Sequence, residues 1–329
     1  MKLRAFVTGG TGFIGINLVH LLLDRGWDVT ALYRVSSDTS WLAGLPVRLK
    51  KGSVTDRNTL KRATPVGTDV VFHLAGSTNM WSERNEMQTR INVEGTRNMV
   101  HAAADNGVST FIHTSSIAAW GRQEGQVTEE TPQKGHKSWI NYEYTKWAGE
   151  QEALKARDLG MNLVILNPAH VTGPYDVNNW GRLFLLLNEG KIPAIARGES
   201  SVTHVREVVK AHLAAVEHGT SGERYLLGGE ENTFREFVKA IAEVSGIEKI
   251  PPTVPDWVLK SIARMSEFAA TITGEEPDIT PEIADFLTRK GVRYSSRKAE
   301  KQLGYQIVPM ETAVRDCHRW LLENGYLDN

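Results

Sequence analysis

The sequence predicts an α/β protein: a doubly wound parallel sheet followed by a smaller, mostly helical C-terminal lobe. Three observations predict it. Short apolar runs alternate with helical patterns through the first half, a glycine cluster separates the first run from the first helix, and the pattern changes near Pro168. The run Leu3-Arg4-Ala5-Phe6-Val7 reads as a strand, and Phe13 to Asp24 repeats apolar residues at helical spacing. Val29 to Tyr33, Val47 to Lys51, Asp69 to Leu74, Thr110 to Ser115 and Leu163 to Asn167 read as further strands. Helices fall between them, notably Glu83 to Asn106 and Tyr142 to Asp158. Such alternation implies parallel strands covered on both faces, and right-handed crossovers wind the helices onto both sides.

After Gly173-Pro174 the pattern is loose as far as Gly198. A helix from about Arg206 to His218 and a strand from Arg224 to Leu227 follow, then helices broken at Pro251-Pro252. The expected division is a first domain of residues 1–167, with 202–228 returning to it, and a covering lobe of 168–201 and 229–329.

Composition excludes several classes. The chain has 329 residues, 41% hydrophobic and 23% charged, with a formal net charge of −1. No global field favours nucleic acid or an anionic membrane. No run approaches the ~20 apolar residues that span a bilayer, and no secretory leader is visible at Met1 to Val7. The single cysteine, Cys317, lies in a helical pattern and reads as a packed apolar residue, which fits a cytoplasmic protein. A monomer or homodimer is expected. The amphipathic stretch from Trp257 to Thr271 could face a membrane or a partner; a helix of the covering lobe is the better reading, because Lys260, Arg264 and Glu267 punctuate its apolar stripe.

The glycine cluster is Thr8-Gly9-Gly10-Thr11-Gly12-Phe13-Ile14-Gly15, between a strand and a helix. In that context one glycine permits a tight turn, one admits a pyrophosphate against the backbone, and one lets helix pack on strand. The helix N-terminus then offers N–H groups and a favourable dipole to the anion. Gly9, Thr11, Gly12, Phe13, Ile14 and Gly15 are therefore cofactor candidates. A carboxylate after the second strand would hold the 2′-hydroxyl of NAD(H). This chain instead has Tyr33-Arg34, then Ser36 and Ser37, with no acid before Asp38. A guanidinium suits a 2′-phosphate, so Arg34 points to NADP(H) rather than NAD(H).

Tyr142-Glu143-Tyr144-Thr145-Lys146 sets Tyr142 and Lys146 one helical turn apart on one face. A free tyrosine has a pKa of about 10, and a neighbouring ammonium is expected to lower it. Tyr142 is then the proton donor or acceptor and Lys146 its partner. Tyr144 has Ala148 at the matching place. Ser116 closes the fifth strand in Thr114-Ser115-Ser116, where ligands meet such sheets, and is the expected holder of the substrate oxygen.

Together these residues resemble the extended short-chain dehydrogenase/reductase family, of the atypical NAD-dependent epimerase/dehydratase-like kind, over nearly the whole chain. Further matching stretches are Val71-Phe72-His73-Leu74-Ala75-Gly76, Asn92-Val93-Glu94-Gly95-Thr96, Asn167-Pro168-Ala169-His170-Val171-Thr172-Gly173-Pro174, His204-Val205-Arg206-Glu207-Val208 and Ser295-Ser296-Arg297-Lys298-Ala299-Glu300. The resemblance implies a Rossmann domain with a substrate lobe. It implies Leu74, Ala75 and Gly76 along adenosine and ribose, and Pro168, Ala169 and Val171 at the nicotinamide carboxamide. It also implies Ser53 and Val54 near adenine, although the family often has Asp where Ser53 stands. Within the family the chain looks most like the dihydroflavonol-4-reductase-like branch, which uses Arg34's position for NADP. Sugar-nucleotide dehydratases carry Asp-Glu where this chain has Ile117 and Ala118. Sugar-nucleotide epimerases usually carry an arginine where it has Ser200.

Trp81, Trp120, Trp139, Tyr175, Trp180 and Phe184 suggest an aromatic wall for an apolar or ring-containing carbonyl compound. Trp81, His170, Ser116 and Tyr142 are the substrate candidates. The ten histidines show no metal-ligand spacing, so no metal is expected. The leading expectation is reversible NADP(H)-dependent reduction of a ketone or aldehyde. The alternatives are an epimerase acting on a sugar or sugar nucleotide and a non-catalytic NADP(H)-binding redox sensor.

Overall fold

The computed structural model describes residues 2–328. In chain order the strands are β1 Arg4–Thr8, β2 Asp28–Tyr33, β3 Arg48–Lys51, β4 Val70–His73, β5 Thr110–Thr114, β6 Gly125–Val127, β7 Asn162–Pro168, β8 His170–Thr172, β9 Glu199–His204, β10 Arg224–Leu227, β11 Glu230–Thr233 and β12 Val292–Tyr294. Seven of them make one sheet in the order β10-β7-β5-β4-β1-β2-β3, with every pairing parallel. The chain winds outward from β1 in one direction and from β4 in the other. The crevice between their carboxyl ends is the switch point at which such sheets take ligands.

The inner strands are apolar because both faces are covered. All four residues of β4 are buried, as are all but the first of β5 and β7. On one face, Leu18 and Leu22 of helix Phe13–Asp24 meet Val208 and Ala211 of helix Val205–His218 over Val7 and Phe72. On the other, Met99 of helix Gly95–Asp105 and Ala153 of helix Asn141–Asp158 cover Val71 and Phe111. Fully burying one such large side chain contributes roughly 1.5–3 kcal/mol. This is the α/β Rossmann sheet that the alternating pattern predicts.

Two local features depart from the expected elements. The helical run over 83–106 contains a wider π turn at Arg90–Glu94. At this turn Gly95 packs where a Cβ would sit 2.8 Å from Val54 Cγ2, and the Asn92 amide bonds outside its own helix. The stretch after Pro174, read as loose, contains helix Arg182–Asn188 and leads into β9. β9 joins a separate three-stranded sheet of order β11-β9-β8. Its Ser-Ser-Val-Thr-His sequence lacks an apolar alternation, yet these five residues are all buried, so tertiary cover rather than propensity makes the strand. Helix Val205–His218 and β10 return to the large sheet.

The remaining helices pack around Phe184, Phe237, Ile241, Trp320 and Cys317. Cys317 is fully enclosed, and burial pushes its thiol up to about 12, which marks a packed residue rather than a reactive one. Among the described residues no helix is long and apolar enough to cross a membrane.

An ion pair ties β10 to the helix that carries Tyr142. Arg224 Nε donates to Glu150 Oε2 at 2.6 Å, and the Glu150 side chain is 0% exposed. Gln133 and Asn167 donate to the same carboxylate at 2.8 and 2.6 Å. Removing one partner of a buried pair leaves an uncompensated charge and costs roughly 3–5 kcal/mol. Two donors remain here, so Arg224→Met is expected to lower unfolding free energy by about 3 kcal/mol. Adding Glu150→Met should restore most of the loss, both effects being read by urea denaturation.

Candidate active site

At the end of β1 the backbone turns through Gly9, whose φ is +70°. Any side chain here would collide with neighbouring backbone: a Cβ on Gly9 would lie 2.7 Å from the Ala75 nitrogen, and one on Gly15 2.0 Å from the Gly9 oxygen. Gly12 begins the first helix with no side-chain cap. It is exposed, and Thr11, Phe13 and Ile14 are half-buried around it. The first helix therefore starts at an exposed, uncapped glycine packed close to the end of β4, and its N-terminal dipole suits a pyrophosphate.

β4 closes one side of the turn. His73 Nδ1 shares a hydrogen bond with Thr8 Oγ1 at 2.7 Å, and its Nε2 another with Thr96 Oγ1 at 3.1 Å. Burial, with Lys146 adding, pushes His73 down to about 3, so it is a neutral strut. Leu74 N donates to Thr8 O at 3.1 Å, and Ala75 N to Thr8 Oγ1 at 3.3 Å. Gly76 follows: a Cβ there would lie 3.4 Å from both Lys146 Nζ and Asn92 Oδ1.

On the other side, Arg34 is exposed directly after β2. Its N–H donates to Ser37 Oγ at 3.0 Å, and the Asp38 carboxylate is occupied by Ser40 N at 2.8 Å. Arg34 is thus exposed to solvent, and the Asp38 carboxylate is engaged by Ser40. Ser53 and Val54 follow β3. Ser53 Oγ bonds Thr55 Oγ1 at 2.8 Å, Val54 O accepts from Asn98 at 2.9 Å, and the valine side chain packs on Gly95.

Tyr142 is the second residue of helix Asn141–Asp158 and is 8% exposed, packed with Ala118 and Ile140 and against Met80. Lys146 stands one turn on, its Nζ 6.0 Å from the Tyr142 ring centroid and donating to Thr114 O at 3.3 Å. Ser116 leaves β5 in extended backbone. Its Oγ accepts from Ala118 N at 3.1 Å and donates to Pro168 O at 3.5 Å.

The electrostatics correct one expectation. Burial raises the Tyr142 phenol above its ordinary value, and Glu143 pushes the same way; only the Ser116 hydroxyl beside it opposes them. Desolvation thus outweighs any lowering by Lys146, whose hydrogen bond goes to a carbonyl. Lys146 itself is pushed down to about 8 by burial, with Glu150 opposing.

Two supporting residues received no role from the sequence. Asn92 Nδ2 donates to Ser77 O at 2.9 Å and Thr145 Oγ1 at 3.0 Å, and its Oδ1 accepts from Ser77 N at 2.7 Å. It pins the chain after β4 to the helix of Tyr142. Asn167 Nδ2 donates to Ser116 O at 3.1 Å and to Glu150, fixing the serine from below. Asparagine inside an expected helix was the available signal for Asn92, because its amide competes with helical backbone bonds.

Around the proposed substrate side, Ala169 N is bonded to Leu227 O at 3.0 Å, and Val171 is buried in the sheet core. His170 Nδ1 accepts from Ser201 N at 3.3 Å, which places the ring proton on Nε2. Nε2 is buried without a partner. The ring lies 4.7 Å from Trp180, 5.6 Å from Phe286 and 5.9 Å from Phe234. Burial pushes it down to about 4, so it is neutral.

The expected aromatic wall is only partly assembled. Trp81 is buried beside Met80, with Arg84 over its ring at 5.6 Å. Trp120 and Phe184 are core residues, and Trp139 is 60% exposed. Tyr175 stacks with His20 and meets Trp41 and Trp320 instead. Aromatic residues serve packing wherever it demands them, which sequence position alone does not separate from ligand contact.

The chain is similar over nearly its whole length to several known proteins. A putative dihydroflavonol 4-reductase of Synechocystis sp. is 32% identical over 98% of this chain and 95% of its own. A ketoreductase of Stigmatella aurantiaca, named for 4-hydroxy-2-methyl-3-oxo-4-farnesyl-3,4-dihydroquinoline-1-oxide, is 30% identical over 92% of each chain. The crystal structure of gox2253 superposes with a TM-score of 0.85 at 32% identity, covering 99% of both chains. With the glycine turn, the Tyr142 helix and the β10 return all inside the matched residues 5–228, the chain belongs to the NAD dependent epimerase/dehydratase family.

Proposed function

We propose that this protein is an NADP(H)-dependent carbonyl reductase that interconverts a ketone or aldehyde with its alcohol. The observation that carries the reading is the convergence of Tyr142, Ser116 and Lys146 at the carboxyl ends of β4 and β5, next to the glycine turn. Gly9, Thr11, Gly12, Phe13, Ile14 and Gly15 would hold the pyrophosphate, and Arg34 the 2′-phosphate. Leu74, Ala75 and Gly76 would follow the adenosine side, with Ser53 and Val54 further along it. Pro168, Ala169 and Val171 would border the nicotinamide. When bound, the dinucleotide supplies or accepts the hydride.

The chain's own residues manage the proton. Ser116 Oγ–H holds the carbonyl oxygen, and the Tyr142 phenol gives that oxygen its proton. Burial keeps the phenol protonated at neutral pH, which suits a donor. The Lys146 ammonium then steadies the phenolate left behind. Residues 168–201 and 229–329 act as the substrate lobe over the 1–167 domain and its 202–228 return. Within that lobe His170 offers an Nε2–H to an acceptor on an otherwise apolar substrate, beside Trp180 and near Trp81. Ile117 and Ala118 supply no acid or base for water elimination, and Ser200 no cation for a sugar diphosphate. The two full-length relatives named as reductases favour the same chemistry.

Tyr142→Phe is expected to bind NADPH as wild type does and to lose about 10³-fold or more in turnover on a carbonyl panel. Unchanged turnover would remove Tyr142 from the reaction. Net NADPH oxidation separates reduction from epimerisation, and tight binding with no turnover on any carbonyl would favour a sensor.

The pH profile tests Lys146. Its ammonium is present below about pH 8 and lost above. Reductive kcat/KM should hold through neutral pH and fall as pH rises past about 8, while Lys146→Arg should lose that descending limb.

Arg34→Ala should weaken NADPH binding by about 10- to 100-fold, the scale of a charge-assisted hydrogen bond, and leave NADH unchanged. A wild-type preference for NADH, measured by fluorescence titration, would refute the role of Arg34.

A further inference from the structure

Helix Asp256–Thr273 has two apolar faces, and only one is covered. Leu259, Ala263 and Ala270 are buried in the lobe. On the opposite side Trp257, Met265, Phe268 and Ile272 are 71%, 73%, 69% and 75% exposed. At 3.6 residues per turn these four, with Ser261 and Arg264, fall within an arc of about 100°. Scattered exposed apolar residues are ordinary; a continuous stripe of four large ones marks a contact surface.

The charges beside the stripe are ordered along the helix. Lys260 and Arg264 lie towards its N-terminal half, and Glu267 towards its C-terminal half on the same flank. Exposed Glu275 follows the helix end; beyond it Glu276 accepts from Asn79 and Asp278 pairs with Arg182 of the same chain at 2.6 Å each. Antiparallel packing against an identical helix therefore sets the basic half of each on the acidic half of the other. The register is self-consistent. With the two-fold axis between Arg264 and Met265, Trp257 falls opposite the partner's Ile272, and the small Ser261 opposite the partner's Phe268. Arg264 lies within about half a turn of the partner's Glu267, while Lys260 is already paired with Asp285 of its own chain at 3.0 Å. A two-fold interface requires this self-complementarity. A helix lying on an anionic membrane would instead carry Lys and Arg throughout its polar border, and the acidic end here opposes that.

We infer that this helix is a homodimer contact, pairing antiparallel with its copy in a second chain. The contact would bear on the cleft. Glu267 accepts from Ser82 Oγ at 3.2 Å, Glu276 from Asn79 Nδ2 at 2.6 Å, and Thr280 Oγ1 donates to Met80 O at 2.6 Å. Met80 packs on Tyr142. Docking a second copy on the outer face would hold the helix, and with it residues 79–82, in place.

Sedimentation velocity over a concentration series tests the contact without reference to activity. Wild type should shift towards dimer as concentration rises, and Phe268→Glu should stay monomeric at an unchanged melting temperature. Cysteine scanning tests the register, since the one native cysteine, Cys317, is buried. Met265→Cys should cross-link to its copy under mild oxidation. Trp257→Cys alone should not, and the double variant Trp257→Cys/Ile272→Cys should. A wild type monomeric at every concentration would overturn the inference. So would a dimer that survives Phe268→Glu, or a monomer that co-sediments with phosphatidylcholine–phosphatidylglycerol vesicles through the intact stripe.

Discussion

The cleft depends on backbone packed against backbone at the glycine turn. Gly9 lies so close to Ala75, and Gly15 to the Gly9 carbonyl, that a single methyl group at either place would overlap main-chain atoms. That proximity sets where the first helix begins and how near its N-terminus comes to the end of β4. It also brings Gly76 within reach of Lys146. Side chains then secure what the glycines permit: Thr8 and His73 lock β1 to β4, and Thr96 holds the far nitrogen of His73. A neutral histidine suits this place, because a charged one would stand buried near the Lys146 ammonium.

The same enclosure decides the chemistry of Tyr142. Spacing alone argues for a phenol made acidic by a lysine one turn away. Burial reverses the balance, since desolvation penalises phenolate and ammonium alike: Tyr142 rises and Lys146 falls. The two shifts move the groups apart in proton affinity, the phenol above its ordinary value and the ammonium down to about 8. A donor that holds its proton at neutral pH, beside a cation that still carries charge below about 8, suits the proposed reduction. The reverse direction asks for phenolate and is correspondingly disfavoured until the pH rises.

Much of this was legible in the chain. The central strands read correctly because strands covered on both faces must be apolar throughout, and the glycine spacing is dictated by backbone collisions that few other sequences avoid. That Tyr142, Lys146 and Ser116 lie close together was legible from their places at helix start and strand end. What stayed hidden depends on tertiary cover. β9 is Ser- and Thr-rich yet buried, so neither alternation nor propensity reveals it. Asn92 acts across three elements that are distant in sequence. The aromatic residues near the cleft were too uniform in type for sequence to divide core from contact: Trp120 is enclosed, and Trp180 stacks on His170.

The second half of the chain is also joined to the Tyr142 helix by charge. Arg289 pairs with buried Glu143, the residue after Tyr142, and with Asp285 at 3.2 Å; Lys260 reaches the same aspartate at 3.0 Å. Ser138 Oγ donates to Glu143 at 2.6 Å, so the carboxylate is held from both sides. A buried charge tolerates separation from its partner poorly. The helix at 256–273, the one at 281–287 and the start of the Tyr142 helix are therefore constrained to move together. The C-terminal helices and the start of the Tyr142 helix thus share one electrostatic anchor.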